Sequence, residues 1–263
     1  MTYAETDLVA SMERLAGDDL AVLTREQWDR LDQFHAGGSE AVDRMLPGLH
    51  LAPRMTVLDV GSGLGGPARQ VARNSGCTVV GVDITPAYVD AARELTRTAG
   101  LAEQVGFFRG DIAVFAGAGF DAAYTMHVQM NIADKNAYFA EIGRRLRPGA
   151  RFATFEVCLG GETQPTPPLP WSLDGTDSHL VTADELRAAI GAGGFELLEW
   201  VDETAWVRRW FENIGARMAT GAGDGGATLP ALLTDGLTRT LNFAIALDAG
   251  ILTIHRGSFV LAP

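Results

Sequence analysis

Apolar positions follow two rhythms in this chain. From residue 55 onward, short runs rich in β-branched residues alternate with longer segments whose apolar positions recur at helical spacing. That alternation belongs to a mostly parallel α/β sheet with helices on its faces. It predicts strands at Met55–Val60, Cys77–Val82, Val105–Phe108, Phe120–Thr125, Arg151–Val157 and Phe195–Val201. Ile251–Leu261 alternates apolar and polar residues, which suits an antiparallel last strand. Pro67 fits the first position of a helix running to about Asn74, and Thr85-Pro86 opens another through Val89, Ala92 and Leu95 to Gly100. A helix over Asp134–Leu146 is closed by Arg147-Pro148-Gly149, and Thr182-Ala183-Asp184-Glu185 is a capping box for one ending at Gly193-Gly194.

Three segments stand outside the alternation. Residues 1–50 read as two or three short helices, with a capping box at Thr24-Arg25-Glu26-Gln27, a break at Phe34-His35-Ala36-Gly37-Gly38 and Ser39 capping the next helix. Residues 159–181 hold Pro165, Pro167, Pro168 and Pro170 around Trp171, too many prolines for a helix and too long for an ordinary connection. Residues 204–249 read as helices interrupted by Gly221–Gly226. Ligands of open α/β sheets bind beyond the carboxyl ends of the strands, so insertions there cover a pocket. The expected organisation is one domain over residues 1–263: an N-terminal helical lid (1–50), a binding core (51–158), an active-site lid (159–181) and a C-terminal sheet half with a helical cap (182–263).

Composition narrows the partners. A net charge of −12 repels phosphate backbones and anionic headgroups, so neither nucleic acid nor membrane is expected. No apolar run approaches the roughly 18 residues of a membrane span, and the acidic first residues lack the pattern of a leader. Cys77 and Cys158 are far apart and without metal-ligand spacing. Reduced thiols, a cytoplasmic setting and no metal are the resulting expectations; oligomeric state is left open.

The chemistry concentrates in Leu58-Asp59-Val60-Gly61-Ser62-Gly63-Leu64-Gly65-Gly66, then Gly81-Val82-Asp83 and Gly110-Asp111-Ile112. The glycine turn satisfies the dinucleotide pattern, and Asp83 lies at the spacing that holds a ribose diol. Asp59 argues against a dinucleotide, because a carboxylate at the end of the first strand opposes a pyrophosphate but receives an ammonium. Asp111 offers an acceptor to an adenine amino group. Three acids around a glycine turn suit a nucleoside bearing an ammonium and a sulfonium, which is S-adenosyl-L-methionine.

Those segments, with Phe120-Asp121-Ala122 and Arg145-Leu146-Arg147-Pro148-Gly149, resemble the successive motifs of class I S-adenosylmethionine-dependent methyltransferases over roughly residues 50–160. Gln33-Phe34-His35-Ala36-Gly37-Gly38, Gly63-Leu64-Gly65-Gly66-Pro67-Ala68-Arg69 and His127-Val128-Gln129-Met130-Asn131-Ile132 resemble the sarcosine/dimethylglycine methyltransferase-like group. The resemblance implies a Rossmann-like seven-stranded sheet, with Gly61, Ser62 and Gly63 around the methionyl portion, Asp83 on the ribose, Ile84 and Ile112 against adenine and Asp111 on its amino group. S-adenosyl-L-homocysteine would be the product.

The expected reaction is methyl transfer to an N, O or C atom of a small molecule. His127, after the fourth strand, is the first candidate for a general base or for orienting the cofactor, since an unperturbed imidazole titrates near 6.5. His35 is a second catalytic candidate. Gln129, Asn131, His179 and a wall of Trp171, Trp206 and Trp210 are candidates for the acceptor. Two alternatives stand beside this reading: a protein of the same fold that binds the cofactor without transferring methyl, and an NAD-dependent oxidoreductase.

Overall fold

In the computed structural model, which describes residues 7–17, 19–219 and 229–262, seven strands form one sheet. They are β1 (Thr56–Val60), β2 (Thr78–Asp83), β3 (Val105–Arg109), β4 (Phe120–Met126), β5 (Leu146–Leu159), β6 (Phe195–Asp202) and β7 (Leu252–Leu261). Their order is β3-β2-β1-β4-β5-β7-β6, and β7 runs antiparallel to both neighbours in an otherwise parallel sheet. The expected fold class is therefore the observed one.

Helices α1 (Leu8–Ala16), α2 (Arg25–Asp32) and α3 (Gly38–Met45) precede the sheet. The crossovers carry α4 (Gly66–Ser75), α5 (Pro86–Thr98), α6 (Lys135–Arg145) and α7 (Ala183–Ala192), while α8 (Thr204–Ala219) and α9 (Gly236–Asp248) lie between the last two strands. Successive strand residues face opposite sides. Val57, Val79, Tyr124 and Phe155 accordingly pack with Val42, Val71, Val207 and Phe243 of α3, α4, α8 and α9. Leu58, Val82, Ala123 and Phe152 face the other way, onto Tyr138, Ile142, Leu186 and Ile190 of α6 and α7. A third cluster joins Leu8, Met12, Trp28 and Leu31 to Leu64, Tyr88 and Leu95, so the N-terminal helices sit against α5 and the glycine turn.

Both capping boxes form: Thr24 Oγ1 accepts from Gln27 N at 3.3 Å while Gln27 Oε1 accepts from Thr24 N at 2.8 Å, and Thr182 pairs with Glu185 in the same way. Two boundaries differ from the sequence reading. Arg147-Pro148-Gly149 does not close a helix; α6 ends at Arg145 and β5 already pairs Leu146 with Phe120, a register shift absorbing the extra residues before Arg151 meets Ala122. Ser39 is not a cap either. Gly37 takes that place with φ 88°, because the turn runs against Trp206, where a Cβ on Gly37 would stand 2.6 Å from the ring. The glycine tract Gly221–Gly226 lies outside the described residues.

β1 is flanked by β2 on one side and β4 on the other, so the crossovers leaving it diverge. A crevice opens beyond the carboxyl ends of β1 and β4, where α/β sheets of this kind take their ligands.

Candidate functional site

A cavity of about 190 Å³ occupies that crevice. It is walled by Asp59, Gly61, Ser62 and Gly63 at and after the end of β1, Asp83 and Ile84 at the end of β2, and Asp111 and Ile112 after β3. The wall also includes Phe34 and His35 from the N-terminal segment, with Met126 at the end of β4 and His127 and Asn131 after it. Eleven of the sequence-predicted residues thus meet at one cavity: Asp59, Gly61, Ser62, Gly63, Asp83, Ile84, Asp111, Ile112, His127, His35 and Asn131.

The turn is built by backbone reversal. Gly61 and Gly63 have φ 81° and 52°, and Gly61 N donates to Val82 O at 2.8 Å. Positive φ of this size favours glycine. Asp83 fastens the turn, its Oδ2 accepting from Gly63 N and its Oδ1 from Thr85 N, each at 2.8 Å. Burial raises the Asp83 carboxyl above its ordinary range against these two donors. Burial likewise pushes Asp59 up to about 7, opposed by the Tyr124 hydroxyl and reinforced by the charge of Asp83. Asp111 is exposed at the rim, its Oδ1 accepting from Ala113 N at 2.7 Å.

His127 terminates β4 with φ 53°, and its amide donates to Phe155 O at 2.9 Å. Its ring lies edge-on to His35, centroids 6.1 Å apart, and stacks 5.9 Å from Phe155. Burial, and after it the neighbouring His35, hold His127 well below the ordinary imidazole range, which corrects the expectation of titration near neutrality. His35 Nε2 bonds Gln33 Oε1 at 2.9 Å, and burial lowers its pKa to about 4.

The remaining candidates are not at the cavity wall. Gln129 is fully buried and its Nε2 donates to Val157 O, so the side chain serves β5 rather than the crevice. His179 lends its backbone to Met130 O at 2.7 Å and to Lys135 Nζ. Trp171 is in the core, its Nε1 donating to Ser178 Oγ at 3.0 Å. Trp206 lies under the Arg44 guanidinium, 4.2 Å away, and Trp210 packs on Phe211 at 5.0 Å. The three tryptophans therefore back the site through intervening rings instead of forming its wall. No residue of 159–181 lines the cavity either; Arg239 of α9 holds that segment through the carbonyls of Leu169 and Pro170.

Sequence reasoning missed Glu156. It is completely buried in β5, its Oε1 accepting from Thr125 Oγ1 at 3.0 Å and its Oε2 from Val128 N at 2.9 Å and Gln129 N at 3.2 Å. Burial pushes it up to about 7 despite those donors. A lone acid within Phe152-Ala153-Thr154-Phe155-Glu156-Val157 was the available signal. Asp32, Phe34 and Tyr88 were also missed as wall residues.

Asp59 Oδ2, Ser62 Oγ and His127 Nε2 are buried without a hydrogen-bond partner among the described residues. An unmet buried polar group costs about 1–3 kcal/mol, and three around one cavity fit a ligand that satisfies them. Carboxylates at the ends of three strands select an ammonium-bearing nucleoside over a pyrophosphate.

Sheet order, switch-point crevice and acid-rimmed glycine turn coincide in this chain with a sequence match of residues 58–154 to the methyltransferase domain family. The chain is 34% identical over 150 residues to methyltransferase phqN of Penicillium fellutanum, an alignment covering 54% of this chain and 46% of that protein. The chain spans about half the length of the first curated relatives it matches. In fold it is similar to geranyl diphosphate C-methyltransferase of Streptomyces coelicolor A3(2), with TM-score 0.67, 18% identity and coverage of 84% and 78% of the two chains. A putative sarcosine dimethylglycine methyltransferase from Galdieria sulphuraria shares the fold with TM-score 0.66, 17% identity and coverage of 85% and 84%.

Proposed function

We propose that this chain is an S-adenosyl-L-methionine-dependent methyltransferase acting on a small molecule. The observation that carries the reading is the set of three strand-end acids, Asp59, Asp83 and Asp111, around one glycine turn and one cavity. Asp59 would receive the methionyl ammonium, Gly61, Ser62 and Gly63 would surround the methionyl portion, Asp83 would take the ribose hydroxyls, and Ile84, Ile112 and Asp111 the adenine. When bound, the cofactor supplies an electrophilic methyl group on a sulfonium.

The chain's own contribution is orientation and exclusion of water. Phe34 and His35 line the cavity from the N-terminal segment, which supports a lid role for the residues before β1. His127, uncharged because it is buried, is able to take a proton from the acceptor. Its depressed basicity suits a proton that becomes acidic as the methyl arrives, rather than one removed beforehand. His35 packs against it and orients it. Asn131 is the neighbouring polar group toward the acceptor. Two free, buried cysteines support a reducing, cytoplasmic setting; no helix among the described residues is long and apolar enough to cross a membrane.

Calorimetry tests the assignment. S-adenosylmethionine should bind with a Kd on the order of micromolar, and Asp83→Asn should weaken it by about 10-fold or more, the scale of a charge-assisted hydrogen bond. Tight binding of NAD with none of S-adenosylmethionine would overturn the reading. Binding without S-adenosylhomocysteine release from any small acceptor would favour the same fold used without methyl transfer.

A further inference from the structure

We propose that the acceptor is a largely apolar molecule carrying no anionic group, neither phosphate nor carboxylate. This rests on the methyltransferase reading of the cavity and narrows its substrate. Charge is the deciding quantity. The cavity wall holds four carboxylates, Asp32, Asp59, Asp83 and Asp111, and no lysine or arginine among the described side chains. The rest of the wall includes Phe34, Met126, Val128 and Ile132 with the imidazoles of His35 and His127. Behind His127 the rings continue, to Phe155 at 5.9 Å and Phe243 at 6.2 Å, and from Phe243 to Trp171 and Phe211, both at 5.7 Å.

The three cations buried among the described residues are already committed. Arg69 is fully buried against Asp32 at 2.7 Å and donates to Leu64 O at 2.8 Å. Lys135, the chain's single lysine, donates to Ile132 O at 2.8 Å and to His179 O. Arg239 donates to the carbonyls of Leu169, Pro170 and Thr234. Recruiting any of them to an anion would leave buried carbonyls or a carboxylate unpaired. An acceptor anion would thus lose its water, meet carboxylates and find no counter-charge, whereas a neutral apolar molecule meets rings and methyls. His127 Nε2, buried without a hydrogen-bond partner among the described residues, remains for one hydroxyl, carbonyl or neutral amine. Such an acceptor differs from the geranyl diphosphate bound to the Streptomyces enzyme.

The test is calorimetry on the full chain saturated with S-adenosylhomocysteine, titrated with 4-butylphenol, 4-butylbenzoate and 4-butylphenyl phosphate. The phenol should bind at least about 10-fold more tightly than either anion, with the gap narrowing as salt is raised. Equal or tighter binding of an anion, or no binding of the phenol, would overturn the inference. The preceding S-adenosylhomocysteine titration separates the two failures: if it does not bind, the methyltransferase reading falls, and if it binds while an anion is preferred, only the acceptor class falls.

Discussion

Asp59 is protonated in the ligand-free protein at a pH where an exposed aspartate is fully ionised, and this makes cation binding sensitive to pH. Its pKa stands near 7 against an ordinary 3.8, so below about 7 an incoming ammonium must first expel a proton. Affinity for S-adenosylmethionine should therefore rise with pH up to about 7 and level off above it. Calorimetry near pH 6 in buffers of different ionisation enthalpy should register proton release; a flat affinity without release would remove the Asp59 contact. The sign for folding is opposite. Between 3.8 and about 7 the native protein keeps a proton that the unfolded chain has lost, so this group lowers stability as pH rises through that window. At His127 the expected outcome of alanine substitution is turnover reduced by about 100-fold with cofactor affinity little changed. Turnover near native, or turnover and affinity falling together, would take His127 out of the base role.

Among the elements, β5 decides the geometry at His127. Glu156 gathers the Val128 and Gln129 amides and the Thr125 hydroxyl onto one carboxylate, so the turn after β4 is held from the neighbouring strand. Glu156→Gln keeps an acceptor oxygen but replaces the other with a donor facing donors. It should lower turnover by about 10-fold while leaving cofactor affinity and the melting temperature near native at pH 8, because a buried charge is removed together with a hydrogen bond. Unchanged turnover in a folded variant would show that the turn stands without it. This element also marks a limit of sequence reading. The strand itself was legible from its β-branched and aromatic run, but Glu156 bonds across 28 residues to Val128, a distance that no local pattern encodes. Gln129 was misplaced for the same reason: its amide is spent on Val157, a partner visible only once β4 and β5 are side by side.

For the molecule as a whole, a buried ion pair ties the N-terminal segment to the site. Arg69 of α4 meets Asp32 at the end of α2, and also donates to Thr96 Oγ1 of α5 at 2.9 Å. Breaking the pair leaves a buried charge, so Arg69→Met should destabilise the protein by about 3–5 kcal/mol. Denaturant unfolding measures it; a loss under about 1 kcal/mol would mean that water already reaches Asp32.

The sequence by itself determined the strand-and-helix alternation, the glycine turn and the acids that rim it. Each of these is local, fixed by residue period, by the positive φ that glycine accepts, or by a side chain at the end of its own strand. What only the tertiary structure decided is which distant groups share the cavity and in what charge state. The tryptophans fell behind other rings, the proline-rich segment was drawn to α9 by Arg239, and His127 lost its ordinary basicity. Burial and cross-strand hydrogen bonding are properties of the packed sheet, and desolvation acts on a side chain only after its neighbours have closed over it.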